Sequence, residues 1–236
     1  MKLLLLIIIL CFSAVSQSNT LTAQSWVVAD AEGRVLESEN IHDQRSIASI
    51  TKLMTSMVVL DLQQDLLEKI GKYTRLELLQ LAMVNSNNEA ADNLCRHYPG
   101  GRYSCVSAMN AKSQKLGMYQ THFVDSTGLG VMNVSTGQDL IKMVLAAKDY
   151  PEIVVASQMS KVKIREKKKW LSFNNTNPII GNRYQFWVSK TGYIRASGGC
   201  IVMMLDTQLG RRIVVILGSK NTQTRIPEAE LLANKF

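Results

Sequence analysis

The stretch that most constrains this chain lies near its end. Residues 186–194, 200–205 and 211–217 are three runs rich in Val, Ile and Met, divided by the turn signals Gly198-Gly199 and Leu209-Gly210. Runs so short, apolar and closely connected read as neighbouring antiparallel strands, which must be covered by other elements. At the other end, Trp26-Val27-Val28-Ala29-Asp30 and Arg34-Val35-Leu36 flank Ala31-Glu32-Gly33 and read as two further strands. Between these ends the period changes. Ile50, Leu53, Met54, Met57 and Val58 recur at three- and four-residue intervals, predicting an amphipathic helix from Ser49 to about Leu62. A second helix is predicted over 76–84. The cluster Asn85-Ser86-Asn87-Asn88 then caps a further helix over 89–95, and a closing helix covers about 228–232. Strands at both ends around a helical middle predict one sheet completed by the N- and C-terminal segments, with helices beside it. A length of 236 residues at 46% hydrophobic composition suits one such domain.

Lys2 is followed by an unbroken apolar run to Cys11 and by the small residues Ala14, Val15 and Ser16, the pattern of an export signal over 1–16. The run is about half the roughly 20 residues needed to cross a bilayer, so a cleaved signal is expected, not an anchor. Residues 17–236 are then the working domain, secreted to the periplasm or cell wall. Losing Lys2 lowers the net charge of +8 by one, and the basic remainder suits a polyanionic surrounding. The densest basic run, Lys161 to Lys169 opposed only by Glu166, reads equally as a solvated strand. Once Cys11 leaves, Cys95, Cys105 and Cys200 remain, which allows at most one bridge. Cys95 and Cys105 flank Tyr98-Pro99-Gly100-Gly101 and can pair in an oxidising compartment, whereas Cys200 in an apolar strand reads as a buried thiol. His42, His97 and His122 are scattered without ligand spacing, so neither a metal nor a cofactor is expected. Nor is a nucleic-acid partner.

Ser49-Ile50-Thr51-Lys52 places an amine one helical turn after a hydroxyl, on the same face. The amine acts as a base only when neutral, so its pKa must be depressed by burial or by another cation, a part Lys190 can play. The same spacing at Ser160 and Lys163 falls in the alternating basic segment and is taken as a decoy. Ser86-Asn87-Asn88 offers a hydroxyl for proton transfer and an amide able to hold both an ammonium and a carbonyl; its rival reading is a helix cap. Lys190-Thr191-Gly192 offers a cation and a hydroxyl for a carboxylate, then a residue whose missing side chain admits substrate backbone; its rival is a plain edge strand.

Together, in this order, the three elements match the set known from β-lactamases and penicillin-binding proteins. With Tyr98-Pro99-Gly100-Gly101, Phe123-Val124-Asp125-Ser126-Thr127-Gly128-Leu129 and Ser189-Lys190-Thr191-Gly192-Tyr193, the chain resembles the D-alanyl-D-alanine carboxypeptidase and endopeptidase family, its small periplasmic endopeptidase branch above all, from about Trp26 to Leu217. The resemblance implies an α/β (α+β) fold, a single penicillin-binding/β-lactamase-like transpeptidase domain with an antiparallel sheet and flanking helices. It implies Ser49 as nucleophile, Lys52 as its base and Ser86 as proton relay. Asn88, Lys190, Thr191 and Gly192 would bind substrate, and the backbone N–H groups of Ser49 and Tyr193 would form the oxyanion hole. The partners implied are peptidoglycan peptides, with β-lactam antibiotics as covalent inhibitors.

Two departures stand out. The interval from Ser49 to Ser86 is shorter than the family pattern, so a strand pair that lies there is expected to be missing and the cleft more open. The chain also ends soon after its last strands, which leads us to expect no C-terminal β-domain and no stable membrane anchor after signal cleavage. A class A β-lactamase would carry a deacylating Glu with an Asn four residues on, but Glu166 is followed there by Trp170. The alternatives are a D-alanyl-D-alanine carboxypeptidase and, from a different class, an inactive cell-wall-binding module.

Overall fold

A computed structural model describes residues 21–236, so the expected export signal at 1–16 lies outside the described residues. The chain begins with β1 (Ser25–Asp30), β2 (Val35–Glu39) and β3 (Arg45–Ser46), then a 3₁₀ turn (Ala48–Ile50) that leads into α1 (Thr51–Leu60). Next come β4 (Lys69–Ile70), β5 (Tyr73–Thr74), α2 (Arg75–Val84), α3 (Asn88–Arg96) and α4 (Gly101–Lys115). β6 (Val134–Ser135), α5 (Gly137–Ala147) and α6 (Pro151–Gln158) follow. The last third holds β7 (Lys161–Glu166), β8 (Lys169–Asn174), β9 (Gln185–Ile194), β10 (Gly198–Thr207), β11 (Gly210–Ser219) and α7 (Arg225–Lys235).

Five strands form one antiparallel sheet in the order β2-β1-β11-β10-β9. This is the mixed α+β architecture anticipated, with the N-terminal strand pair completing the C-terminal meander. Its middle strands are buried on both faces, which is why they read as continuous apolar runs and not as alternating ones. One face, with Val28, Ile201, Met203, Val214 and Ile216, is covered by Ile226, Ala229, Leu232 and Ala233 of α7. The other carries Val27, Val202, Met204 and Val215 into the larger core shared with the remaining helices. Among the described residues, no helix is long and apolar enough to cross a membrane.

Several expectations need correction. α1 is not amphipathic: residues 51–59 are all buried, polar ones included. It runs through the middle of the helical layer, touching α2, α3, α4 and α5. Two of its polar residues find carbonyl partners, Ser56 Oγ donating to Lys52 O one turn back at 2.8 Å and Thr55 Oγ1 to Ser126 O at 2.8 Å. The interval from Ser49 to Ser86 does hold a strand pair, the two-residue hairpin β4–β5, too short to leave a period in the sequence. Gly198 and Gly199 belong to β10, the turn lying at 195–197. α4 leaves no clear period because it buries only Cys105, Met109 and Ser113, a stripe one residue wide. Cys95 and Cys105 are bridged, tying α3 to α4, and Cys200 is a buried free thiol. Closing that loop stabilises the fold by about 3 kcal/mol in a chain-entropy picture.

Candidate active site

Ser49 lies in the 3₁₀ turn just before α1, half-buried, and the turn is held between two glycines. A Cβ on Gly128 would stand 1.9 Å from Ala48 O, and one on Gly192 would stand 2.8 Å from Ile47 O and 3.0 Å from Ser49 N. Gly192 is therefore required by the close approach of β9 to the protein's own serine turn, a demand separate from the expected role of admitting substrate backbone. Ala48 itself takes a left-handed φ of 45°, a conformation unfavourable by about 1–3 kcal/mol for a residue with a side chain, so the surrounding packing must impose it.

Lys52 is fully buried, one turn along. Its Nζ lies 2.8 Å from Ser49 Oγ, 2.7 Å from Asn88 Oδ1 and 2.6 Å from Thr127 O. Burial lowers its pKa to about 7, against the opposing pull of Asp125. A neutral amine has two N–H groups and one lone pair. The two carbonyl oxygens can only accept, so they take the N–H groups and the lone pair falls toward the Ser49 hydroxyl. This arrangement can remove a proton from Ser49 at neutral pH.

The helix-cap reading of the second element divides between residues. Asn87 is the cap, its Oδ1 accepting from Ala90 N at 2.8 Å. That leaves Asn88 for Lys52, while Ser86, held at φ 59°, accepts from Lys190 Nζ at 2.8 Å. Lys190 is also buried, on β9 at the free edge of the sheet. Burial, then the nearby charges of Lys52 and Arg225, push its pKa well below the ordinary lysine value. Of the two causes the sequence allowed for a depressed Lys52, burial is the leading one, and Lys190 stands as a second buried amine in the same site. Thr191 Oγ1 donates to Thr176 Oγ1 at 2.6 Å, and Tyr193, next after Gly192 on β9, is exposed.

Three side chains beside these were missed. Asp125 accepts five hydrogen bonds, from the backbone of Thr127, Gly128 and Gly130 and the side chains of Thr127 and Asn133. Burial acts to raise its pKa but is outweighed by these bonds, which hold the carboxyl below its usual value. It shapes the loop that presents Thr127 O to Lys52; an Asp ahead of Ser-Thr-Gly is a turn signature that could have pointed to it. Arg225, buried at the start of α7, donates from Nη1 to Gly192 O at 2.7 Å. Nothing local in the sequence marks it, nor Thr176. Ser160 and Lys163 lie apart, at and just before the outward face of β7, and Glu166 accepts from Tyr73 Oη at 2.8 Å.

Comparison with known proteins agrees with this geometry. A family model described as D-alanyl-D-alanine carboxypeptidase matches residues 12–69 and 62–221. A D-alanyl-D-alanine endopeptidase of Escherichia coli is 37% identical over 240 residues, covering 92% of this chain and 77% of that protein. One of Pseudomonas aeruginosa is 36% identical, with the same coverage of each chain. Among solved structures, a penicillin-binding protein of Listeria monocytogenes in its ampicillin-bound form superposes with a TM-score of 0.81 at 25% identity, over 90% of this chain and 96% of that one. Matched along most of its length, this chain belongs to the D-alanyl-D-alanine carboxypeptidase family and is a serine-type DD-peptidase.

Proposed function

We propose that this enzyme hydrolyses D-alanyl bonds of peptidoglycan through an acyl-enzyme on Ser49, acting as an endopeptidase on crosslinks. The observation that carries the reading is Lys52 Nζ, 2.8 Å from Ser49 Oγ with two carbonyl acceptors beside it, which leaves the neutral amine's lone pair for the hydroxyl. The amine takes the hydroxyl proton as Oγ attacks the carbonyl carbon of the penultimate D-Ala. Backbone N–H groups of Ser49 and Tyr193 receive the developing oxyanion. Collapse expels the amine of the acceptor residue, which takes a proton relayed by Ser86, and water then resolves the ester. Asn88 orients Lys52 and the substrate amide. Lys190 polarises Ser86 and, with Thr191, attracts the acceptor carboxylate, while Gly192 brings the strand against the serine turn and admits substrate backbone along it. A β-lactam carbonyl offers the same electrophile, so penicillins are expected to acylate Ser49 as covalent inhibitors.

Secretion to the periplasm or cell wall is part of this reading, and the Cys95–Cys105 bridge supports it because such a bridge persists in an oxidising compartment. The endopeptidase preference follows the names of the two relatives above, whereas the family description keeps carboxypeptidase action as the second reading. Chromatography of a crosslinked muropeptide dimer and a monomeric pentapeptide, each incubated with equal enzyme, decides between them. Cleavage of the dimer at the D-alanyl bridge, with slower release of terminal D-Ala, is expected. A trimmed pentapeptide beside an intact dimer makes the enzyme a carboxypeptidase.

A further inference from the structure

The hairpin β7–β8 is left out of the mechanism, yet it grows from the rim of the active site. Its base is tied to both neighbouring catalytic elements. Asn85 Nδ2 donates to Asn174 O at 3.1 Å, Thr176 N donates to Val84 O at 3.0 Å, and Thr176 Oγ1 meets the Thr191 hydroxyl. At the far end Glu166 binds Tyr73 and Lys72 of the β4–β5 turn, so the hairpin is fixed at both ends. It extends about 20 Å at the usual rise of a strand.

Its two faces differ sharply. Val162 and Ile164 point into the core with Phe173 against them. On the outer face Lys161, Lys163 and Arg165 stand directly across from Asn174, Ser172 and Trp170. The turn beyond adds Lys167, Lys168 and Lys169, all exposed. Among the described residues none of these six cations is in an ion pair, and no cation covers the Trp170 ring, which is 66% exposed. The indole contributes nothing to the core, and the cations around it keep their charge turned to solvent.

We propose that this face is a docking arm for the polymeric substrate, an anionic glycopeptide whose sugar rings stack on Trp170 and whose free stem-peptide carboxylates meet Lys163 and Arg165. The inference rests on the reading of peptidoglycan as substrate and adds how the polymer, as distinct from a soluble fragment, is held. An aromatic ring suits the apolar face of a pyranose, and flexible cations suit carboxylates spaced along a chain. Continuity with Thr191 through Thr176 leads a strand lying on the arm toward Ser49.

The test compares Trp170→Ala and the double variant Lys163→Glu/Arg165→Glu with the parent enzyme on two substrates, purified insoluble sacculi and the soluble muropeptide dimer. Both variants are expected to lose about tenfold in release from sacculi, the size expected for a lost stacking ring or two reversed rim charges. Dimer cleavage and penicillin acylation stay within about twofold, which also reports correct folding. Unchanged sacculus digestion overturns the proposal, and so does an equal loss on both substrates, which makes the hairpin part of the catalytic cleft. Co-sedimentation of Ser49→Ala protein with sacculi, with and without the hairpin changes, reads docking even if the proposed reaction is wrong. Loss of binding to anionic phospholipid vesicles with sacculus binding intact assigns the face to a membrane surface instead.

Discussion

The floor of the cleft and the β7–β8 arm at its rim are both built around lysines, and they use them in opposite ways. Lys52 and Lys190 are buried, stripped of water and held by fixed oxygens, so each loses its hold on a proton. The cations of the arm stand in solvent. Burial turns an ammonium into a base, because removing water penalises the charged form, whereas exposure leaves it a charge that acts only at a distance. At Lys52 the residue type thus supplies a base, whereas on the arm it supplies only attraction.

The comparison breaks most sharply at Ser49. Ser49→Ala is expected to abolish both fluorescent penicillin labelling and muropeptide hydrolysis, and labelling that persisted at Ser160 would transfer the nucleophile to the arm. Next is Lys52→Arg, which keeps the charge but cannot act as a base. Its acylation rate should fall as far as that of Lys52→Ala, about 10²–10⁴-fold, the range for general-base catalysis. Near-normal acylation by the arginine variant would make Lys52 no different in kind from the cations of the arm.

Asp125→Ala tests whether the floor depends on its supporting loop. Orphaning five donors should destabilise the fold by about 2–4 kcal/mol, seen in thermal denaturation, and slow acylation as Thr127 O drifts from Lys52. Unaltered labelling and stability would show that the loop holds without it. The pH profile sharpens the contrast further. A lysine is neutral above its pKa, so acylation should rise with pH, about tenfold per unit below 7, and level off above it. A profile still rising at pH 9 would mean that Lys52 keeps an ordinary lysine pKa despite its burial. The smallest effect belongs to the arm: Lys163→Glu/Arg165→Glu should leave penicillin acylation within about twofold at every pH, and a shifted profile would show that its charges reach the floor.

The sequence by itself determined what is local. Three apolar runs with short turns specify an antiparallel meander, helical spacing sets Ser49 one turn before Lys52, and alternation in 161–166 puts Val162 and Ile164 on one face and the cations on the other. These depend on neighbours within a few residues, where backbone geometry is fixed. Tertiary structure decided everything that joins distant segments. Only packing shows that α1 is buried on every side, that Asn87 and not Asn88 caps α3, that Thr127 O completes the shell of Lys52, and that Arg225 grips Gly192 O. The depressed pKa of Lys52 belongs here too, since it comes from water excluded by the whole helical layer. No local pattern encodes such exclusion, because contacts between residues far apart in the chain are set by how complete surfaces fit.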